Sequence, residues 1–217
     1  MANERISPRM AGAAADDARL RKTSLSSFAH YADRLNASIR AMEATGRGRI
    51  CLSPDEAFEE LCRLTEAVLT TRGTIFFCGN GASATMASHA AADLEKNALV
   101  RTDVFTDPAL LTAVANDICF SEVFAEPLRR KMRPGDMLVA VSSSGNSPNV
   151  LKACTEAKVQ GGSVVTLSAM GPDNQLRSAG DLNFYVPATG YGLAESAHAL
   201  ILHYWIDRTV ENVGSAT

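Results

Sequence analysis

Twice in this chain a short, unbroken apolar run gives way to a turn of glycines and small polar residues, and then to a stretch with helical periodicity. Thr74-Ile-Phe-Phe-Cys78 runs into Gly79-Asn80-Gly81 and a helix from Ser83 to about Glu95. Met137-Leu-Val-Ala-Val141 runs into Ser142-Ser-Ser-Gly-Asn-Ser147 and a helix from Pro148 to about Gln160. Apolar runs of this length, carrying no alternation, suit strands buried on both faces, and helices between them imply parallel crossovers. Further strands are expected at Ser163–Leu167 and Leu182–Val186, with another near Leu99 to Phe105, and a last helix over about Leu193 to Asn212. The expectation is an α/β protein with a mostly parallel sheet covered on both faces.

Two helices precede this unit. Leu25, Phe28, Tyr31, Leu35, Ile39 and Met42 recur at threes and fours, predicting a helix over about 23–46 that ends near Gly46. Ser53, Pro54 and Glu56 form a helix-start signal with a capping box. The helix it opens, about 54–72, has Phe58, Leu61, Leu64, Val68 and Leu69 as its buried face and Gly73 as its stop. Residues 1–22 lack apolar periodicity and read as a flexible lead. The expected organisation is that lead followed by one domain over 23–217.

Ligands of open parallel sheets collect at the carboxyl ends of the strands, where strand-to-helix turns present free amides. Both turns here follow that design, one with two glycines ahead of Ser83 and one with four serines. Short neutral donors of this kind surround a phosphate without burying a charge. Neither turn contains a lysine, and neither matches the P-loop or the G-x-G-x-x-G fingerprint, so a nucleoside triphosphate or NAD is disfavoured. Serine and asparagine also favour helix starts for capping alone. The repetition of the pattern after two strands is what points to a phosphate.

Three of the four histidines fall in the same part of the pattern. His89 and Asp93 are four apart on the helix leaving the first turn, about 40° apart around its axis. Glu195, His198 and His203 share an arc of about 140° on the last helix. Such groups from two helices can act as general acids and bases or close a zinc site. Taken singly, His89–Asp93 also fits a surface ion pair and His198 a core histidine.

The bulk numbers narrow the partners. Net charge is −3 with 46% hydrophobic residues, so no electrostatic footprint for nucleic acid is present. Five scattered cysteines with no C-x-x-C spacing suit a reducing compartment, and the expected location is the cytoplasm. The first twenty residues carry charges throughout and do not read as a signal peptide, and no run approaches a membrane span.

Together, Cys78-Gly-Asn-Gly-Ala-Ser83 continuing to His89, Ala115-Asn-Asp117, Gly135 through Ser147, and Gly190-Tyr191 followed by Glu195 and the two histidines resemble the phosphoheptose isomerase branch of the sugar isomerase (SIS) family. The resemblance covers about residues 54–212. It implies a three-layer α/β/α sandwich on a five-stranded parallel sheet, and a homotetramer with active sites between subunits. It implies a phosphosugar substrate held by Asn80, Gly81, Ser83, Asn116, Asp117, Ser142, Ser143, Ser144 and Ser147. It implies proton transfer by Asp93 and His203, and zinc on His89, Asp93, Glu195 and His203. The sequence departs from the pattern where Asp93 replaces the usual Glu and Glu195 the usual Gln. The implied activity is conversion of sedoheptulose 7-phosphate to an aldose heptose 7-phosphate. The rival expectations are an isomerase of another phosphosugar, or a non-catalytic SIS protein that binds a protein partner. Such binding factors typically lack the histidine at the position of His203, which is present here.

Overall fold

The computed structural model describes residues 27–214. The lead expected over 1–22, and the expected helix start at 23, lie outside those residues. Helix α1 spans Phe28–Arg40, and the Ser27 hydroxyl caps it by accepting from the His30 amide. Tyr31, Leu35 and Ile39 pack against the core, as their spacing predicts.

Past Arg40 the chain departs from expectation. The helix predicted to reach Gly46 stops at Arg40, and Glu43–Thr45 forms a strand, β1, paired antiparallel with β2 (Cys51–Leu52). The cause is tertiary. β1 lies against strand β7 (Leu182–Val186), where Glu43 faces Tyr185 and Thr45 faces Asn183. An unpaired sheet edge presents a row of amides and carbonyls, and the short hairpin covers it.

Helix α2 spans Pro54–Thr71 and begins with the predicted capping box. The Ser53 hydroxyl accepts from the Glu56 amide, and the Glu56 carboxylate accepts from the Ser53 amide at 2.8 Å. At its other end Arg72, not Gly73, takes the left-handed conformation, with φ 53°. Four parallel crossovers follow, joining β3 (Ile75–Gly79), through α3 (Ala82–Ala98), to β4 (Thr102–Val104), β4 to β5 (Met137–Ser142), β5 through α6 (Pro148–Val159) to β6 (Ser163–Ala169), and β6 to β7. Between β4 and β5 lie α4 (Pro108–Asp117) and α5 (Ala125–Lys131), two helices the sequence reading did not place. Their signal was available, since Asp107 caps α4 and Pro108 sits in its first turn. Helix α7, Tyr191–Gly214, ends the described chain.

The sheet has seven strands in the order β2-β1-β7-β6-β5-β3-β4. This corrects the expected count of five. The five predicted strands are all present and parallel, and the hairpin adds two antiparallel ones. Every residue of β3 and β5 is buried, which explains their lack of alternation. Phe58, Leu61 and Leu94 and the apolar side of α7 cover one face together with α1. Val114, Leu128, Val150 and Ala153 from α4, α5 and α6 cover the other. The three-layer sandwich is therefore as expected.

A non-glycine residue in the left-handed region costs on the order of 1 kcal/mol. Arg72→Gly is expected to raise unfolding stability by about that amount, read as a higher midpoint in urea. An unchanged or lower midpoint would contradict the strain assigned to Arg72.

Candidate active site

Strands β3 and β5 are neighbours, and their last ladder pair joins Gly79 to Val141. Both turns therefore leave the sheet side by side, where the strand order reverses direction. Gly79 has no room for a side chain, because a Cβ there would lie 2.8 Å from the backbone carbon of Ser83. That contact brings the start of α3 down onto the end of β3. Asn80 and Gly81 are exposed at this turn, and Ser83 is buried in the first turn of α3.

The second turn folds around hydroxyls. Ser142 Oγ lies 3.3 Å from Ser147 Oγ and 3.5 Å from Ser144 Oγ, and it accepts from the Gly145 amide. Ser144 Oγ accepts from the Asn146 amide at 3.4 Å. The Ser143 hydroxyl is buried with no hydrogen-bond partner among the described residues. Gly145 has φ +63° and leaves no room for a side chain beside Asn174. Its carbonyl accepts from the Leu176 amide at 2.9 Å, and Asn146 Oδ1 accepts from the Gln175 amide. The crossover after β6 thus braces this loop from behind.

Asn80 and Asn149 join the two turns. Each side-chain amide donates to the other's carbonyl oxygen, both at 2.9 Å. Asn149 is buried at the start of α6 and was not among the residues expected to matter. Its only sequence signal was its place one residue past Pro148, which also suits a plain helix start.

The structure brings together His89, Asp93 and His203, whose ligand atoms all lie within 4.8 Å of one another. His89 Nε2 is 3.3 Å from Asp93 Oδ2, and the two imidazole rings meet edge to face at 5.3 Å. Helix α3 supplies two of the groups and α7 the third. The small residues Ala90 and Ala91, buried on α3, let the helices approach this closely. A cavity of about 200 Å³ adjoins the cluster, walled by Met86, Ala90, Leu202 and Ile206. Two imidazoles and a carboxylate make a donor set that suits a divalent ion such as zinc.

Other expected residues fall elsewhere. Glu195 is on α7 but outside this three-residue group, two turns before His203. Asn116 and Asp117 end α4, exposed and hydrogen-bonded to each other at 2.8 Å. His198 is fully buried, and neither ring nitrogen has a hydrogen-bond partner among the described residues. Burial lowers its pKa to about 4. It is a neutral core histidine.

Residues 30–169 match the SIS domain family. The chain belongs to that family. Within it, the chain falls in the phosphoheptose isomerase branch. It is 38% identical to the phosphoheptose isomerase of Aromatoleum aromaticum over 64% of this chain and 74% of that one. To the phosphoheptose isomerase of Solidesulfovibrio magneticus it is 35% identical over 78% of this chain and 85% of that one. The solved phosphoheptose isomerase of Neisseria gonorrhoeae superposes with a TM-score of 0.71 at 30% identity, covering 83% of this chain and 96% of that one. Among the described residues, no helix is long and apolar enough to cross a membrane.

A histidine held neutral in the fold but protonated in the unfolded chain favours unfolding as pH falls. The His198 contribution is intact above about pH 6.5 and is lost progressively toward pH 4, where it amounts to about 3 kcal/mol. His198→Leu is expected to flatten that part of the stability profile between pH 6.5 and 4, measured by urea unfolding at each pH. An equally steep profile in the variant would assign the acid sensitivity elsewhere.

Proposed function

We propose that this chain is a phosphosugar aldose–ketose isomerase that interconverts sedoheptulose 7-phosphate and an aldose heptose 7-phosphate. The observation that carries the reading is the convergence of His89 and Asp93, on the helix that the first phosphate-type turn opens, with His203 on its neighbour α7. Membership of the phosphoheptose isomerase branch supports it. On α3, Ser83 and His89 are six residues apart, about 9 Å along the axis. A substrate spanning that distance carries its phosphate several carbons away from its carbonyl.

In this reading the hydroxyls of Ser83, Ser142, Ser144 and Ser147 hold the phosphate, and the unpartnered Ser143 hydroxyl is a further donor. Gly81 lets the substrate approach the first turn closely, and Asn116 and Asp117 contact the sugar hydroxyls. The ketose opens to its chain form. One of Asp93 and His203 removes a proton from C1, the electrons move into the C1–C2 bond, and an enediol forms. The other protonates O2. The O1 hydroxyl then gives up its proton, its electrons form the C1 carbonyl, and a proton is delivered to C2, which leaves the aldehyde at C1 with no net gain of protons. His89, 3.3 Å from Asp93, orients that carboxylate.

His89, Asp93 and His203 would hold zinc, with Glu195 a fourth ligand only if it comes from another subunit. Bound there, the ion would polarise the sugar's carbonyl oxygen. Active sites formed between subunits of a homotetramer, in the cytoplasm, belong to the same reading. The presence of His203 in the cluster favours it over a protein-binding role.

The test is proton NMR with sedoheptulose 7-phosphate in D₂O, with zinc added and with zinc chelated. Deuterium at C1 and a new aldose are the expected results. His203→Ala should lower turnover by at least about a hundredfold while phosphosugar binding and the thermal midpoint stay close to those of the parent. Wild-type activity in that variant would remove His203 from the chemistry. Solvent exchange absent in the parent, despite phosphosugar binding, would point to a different sugar.

A further inference from the structure

The phosphate cradle proposed above is built from two separate pieces of chain, and its geometry depends on what fixes one piece against the other. The first piece, Gly79–Ser83, is carried by β3 and α3, and the second, Ser142–Ser147, by β5 and α6. Main-chain pairing of the strands stops at Gly79 and Val141, before either turn begins to bend away. Beyond that point, the reciprocal amide pair of Asn80 and Asn149 is the only side-chain hydrogen bonding between the two pieces among the described residues.

The environments of the two amides are opposite. Asn149 is 2% exposed, while Asn80 sits at the surface with its amide turned inward. Asn149 Oδ1 also accepts from the Val150 amide at 3.1 Å, so its orientation is set by its own helix before Asn80 is added. A side chain held at its base by a helix amide and spending its remaining donor and acceptor on one partner is a fixed arm. The partner it grips lies between the glycines of the first turn. Asn80 uses its side-chain nitrogen and oxygen on Asn149, which leaves the turn's backbone amides and the hydroxyl of Ser83 to face the ligand.

From this arrangement we infer that Asn149 is a positioning residue, acting through Asn80 to hold the glycine turn at the spacing at which both turns grip one phosphate. This changes the role expected for Asn80, from substrate contact to the other half of the clamp. The inference rests on the phosphate-binding reading of the site, and not on which sugar is bound or on the proton-transfer chemistry. Removing Asn80 leaves the buried Asn149 side-chain nitrogen without its acceptor, and removing either amide frees the turn to move away from the serine loop.

The decisive measurement is a double-mutant cycle read by phosphate affinity. Inorganic phosphate is titrated calorimetrically into the full chain, its Asn80→Ala and Asn149→Ala variants, and the double variant. Each single change is expected to weaken binding about tenfold, and the double variant is expected to be no weaker than the worse single. In turnover with a phosphosugar the loss should appear mainly as a raised KM, because the reacting groups on α3 and α7 are untouched. Losses that add in the double variant would show that the two residues act separately and would overturn the inference. So would an Asn149→Ala variant with a lowered thermal midpoint and parental phosphate affinity, which would make the residue structural only. Asn80 is at the surface, so its single variant remains informative if Asn149→Ala fails to fold, and parental phosphate affinity in Asn80→Ala would also overturn the inference. Should the parent bind phosphate and show this pattern yet fail to isomerise sedoheptulose 7-phosphate, the positioning role would stand and the substrate assignment would fall. A parent that binds no phosphate at all would remove the cradle and the inference with it.

Discussion

The pairing of β3 with β5 is the constraint on which the rest of this structure depends. Five consecutive residue pairs, from Ile75 with Met137 to Gly79 with Val141, fix the two strands in parallel register. They are separated in sequence by α3, β4, α4 and α5, so the pairing closes a long loop and is entropically demanding. Burial of both strands on both faces supplies the compensation, because every one of their residues leaves water. Once the register is set, Gly79 and Ser142 end at the same level, and both turns are delivered to one edge of the sheet.

From that edge, two kinds of contact build the site. Close approach without side chains brings α3 onto β3 at Gly79 and onto α7 through Ala90 and Ala91. Directional hydrogen bonds then hold the turns, from the amide pair of Asn80 and Asn149 to the bracing of Gly145 and Asn146 by the segment after β6. The groups proposed for catalysis lie on the helices, the more rigid elements. His89 and Asp93 need only the helical repeat to share a face, whereas His203 reaches them only because α3 and α7 pack against each other.

Departures from expectation have the same origin. Met42 continues an apolar pattern that reads as helix to Gly46, yet the segment after it is drawn into pairing with β7 because that edge is otherwise open. Gly73 looks like the stop of α2, but the turn falls one residue earlier on Arg72. Helices α4 and α5 lack a legible period because each is short, 10 and 7 residues, fewer turns than a helical repeat needs to stand out. Glu195 shares a helix with His203, but eight residues along a helix is about 12 Å, too far for both to meet one neighbouring cluster within the chain.

By itself the sequence determined the strand and helix alternation, the two phosphate-type turns, the capping of α2 and the face shared by His89 and Asp93. All of these follow from local chemistry: apolar runs, glycine placement, hydroxyls at helix starts and the helical repeat. Only the tertiary structure decided that His203 joins that pair, that Glu195 stands apart, that His198 is a neutral core residue, and that Asn149 grips Asn80. Each of those is a contact between residues far apart in the chain, so it depends on register and helix packing, which no local pattern encodes.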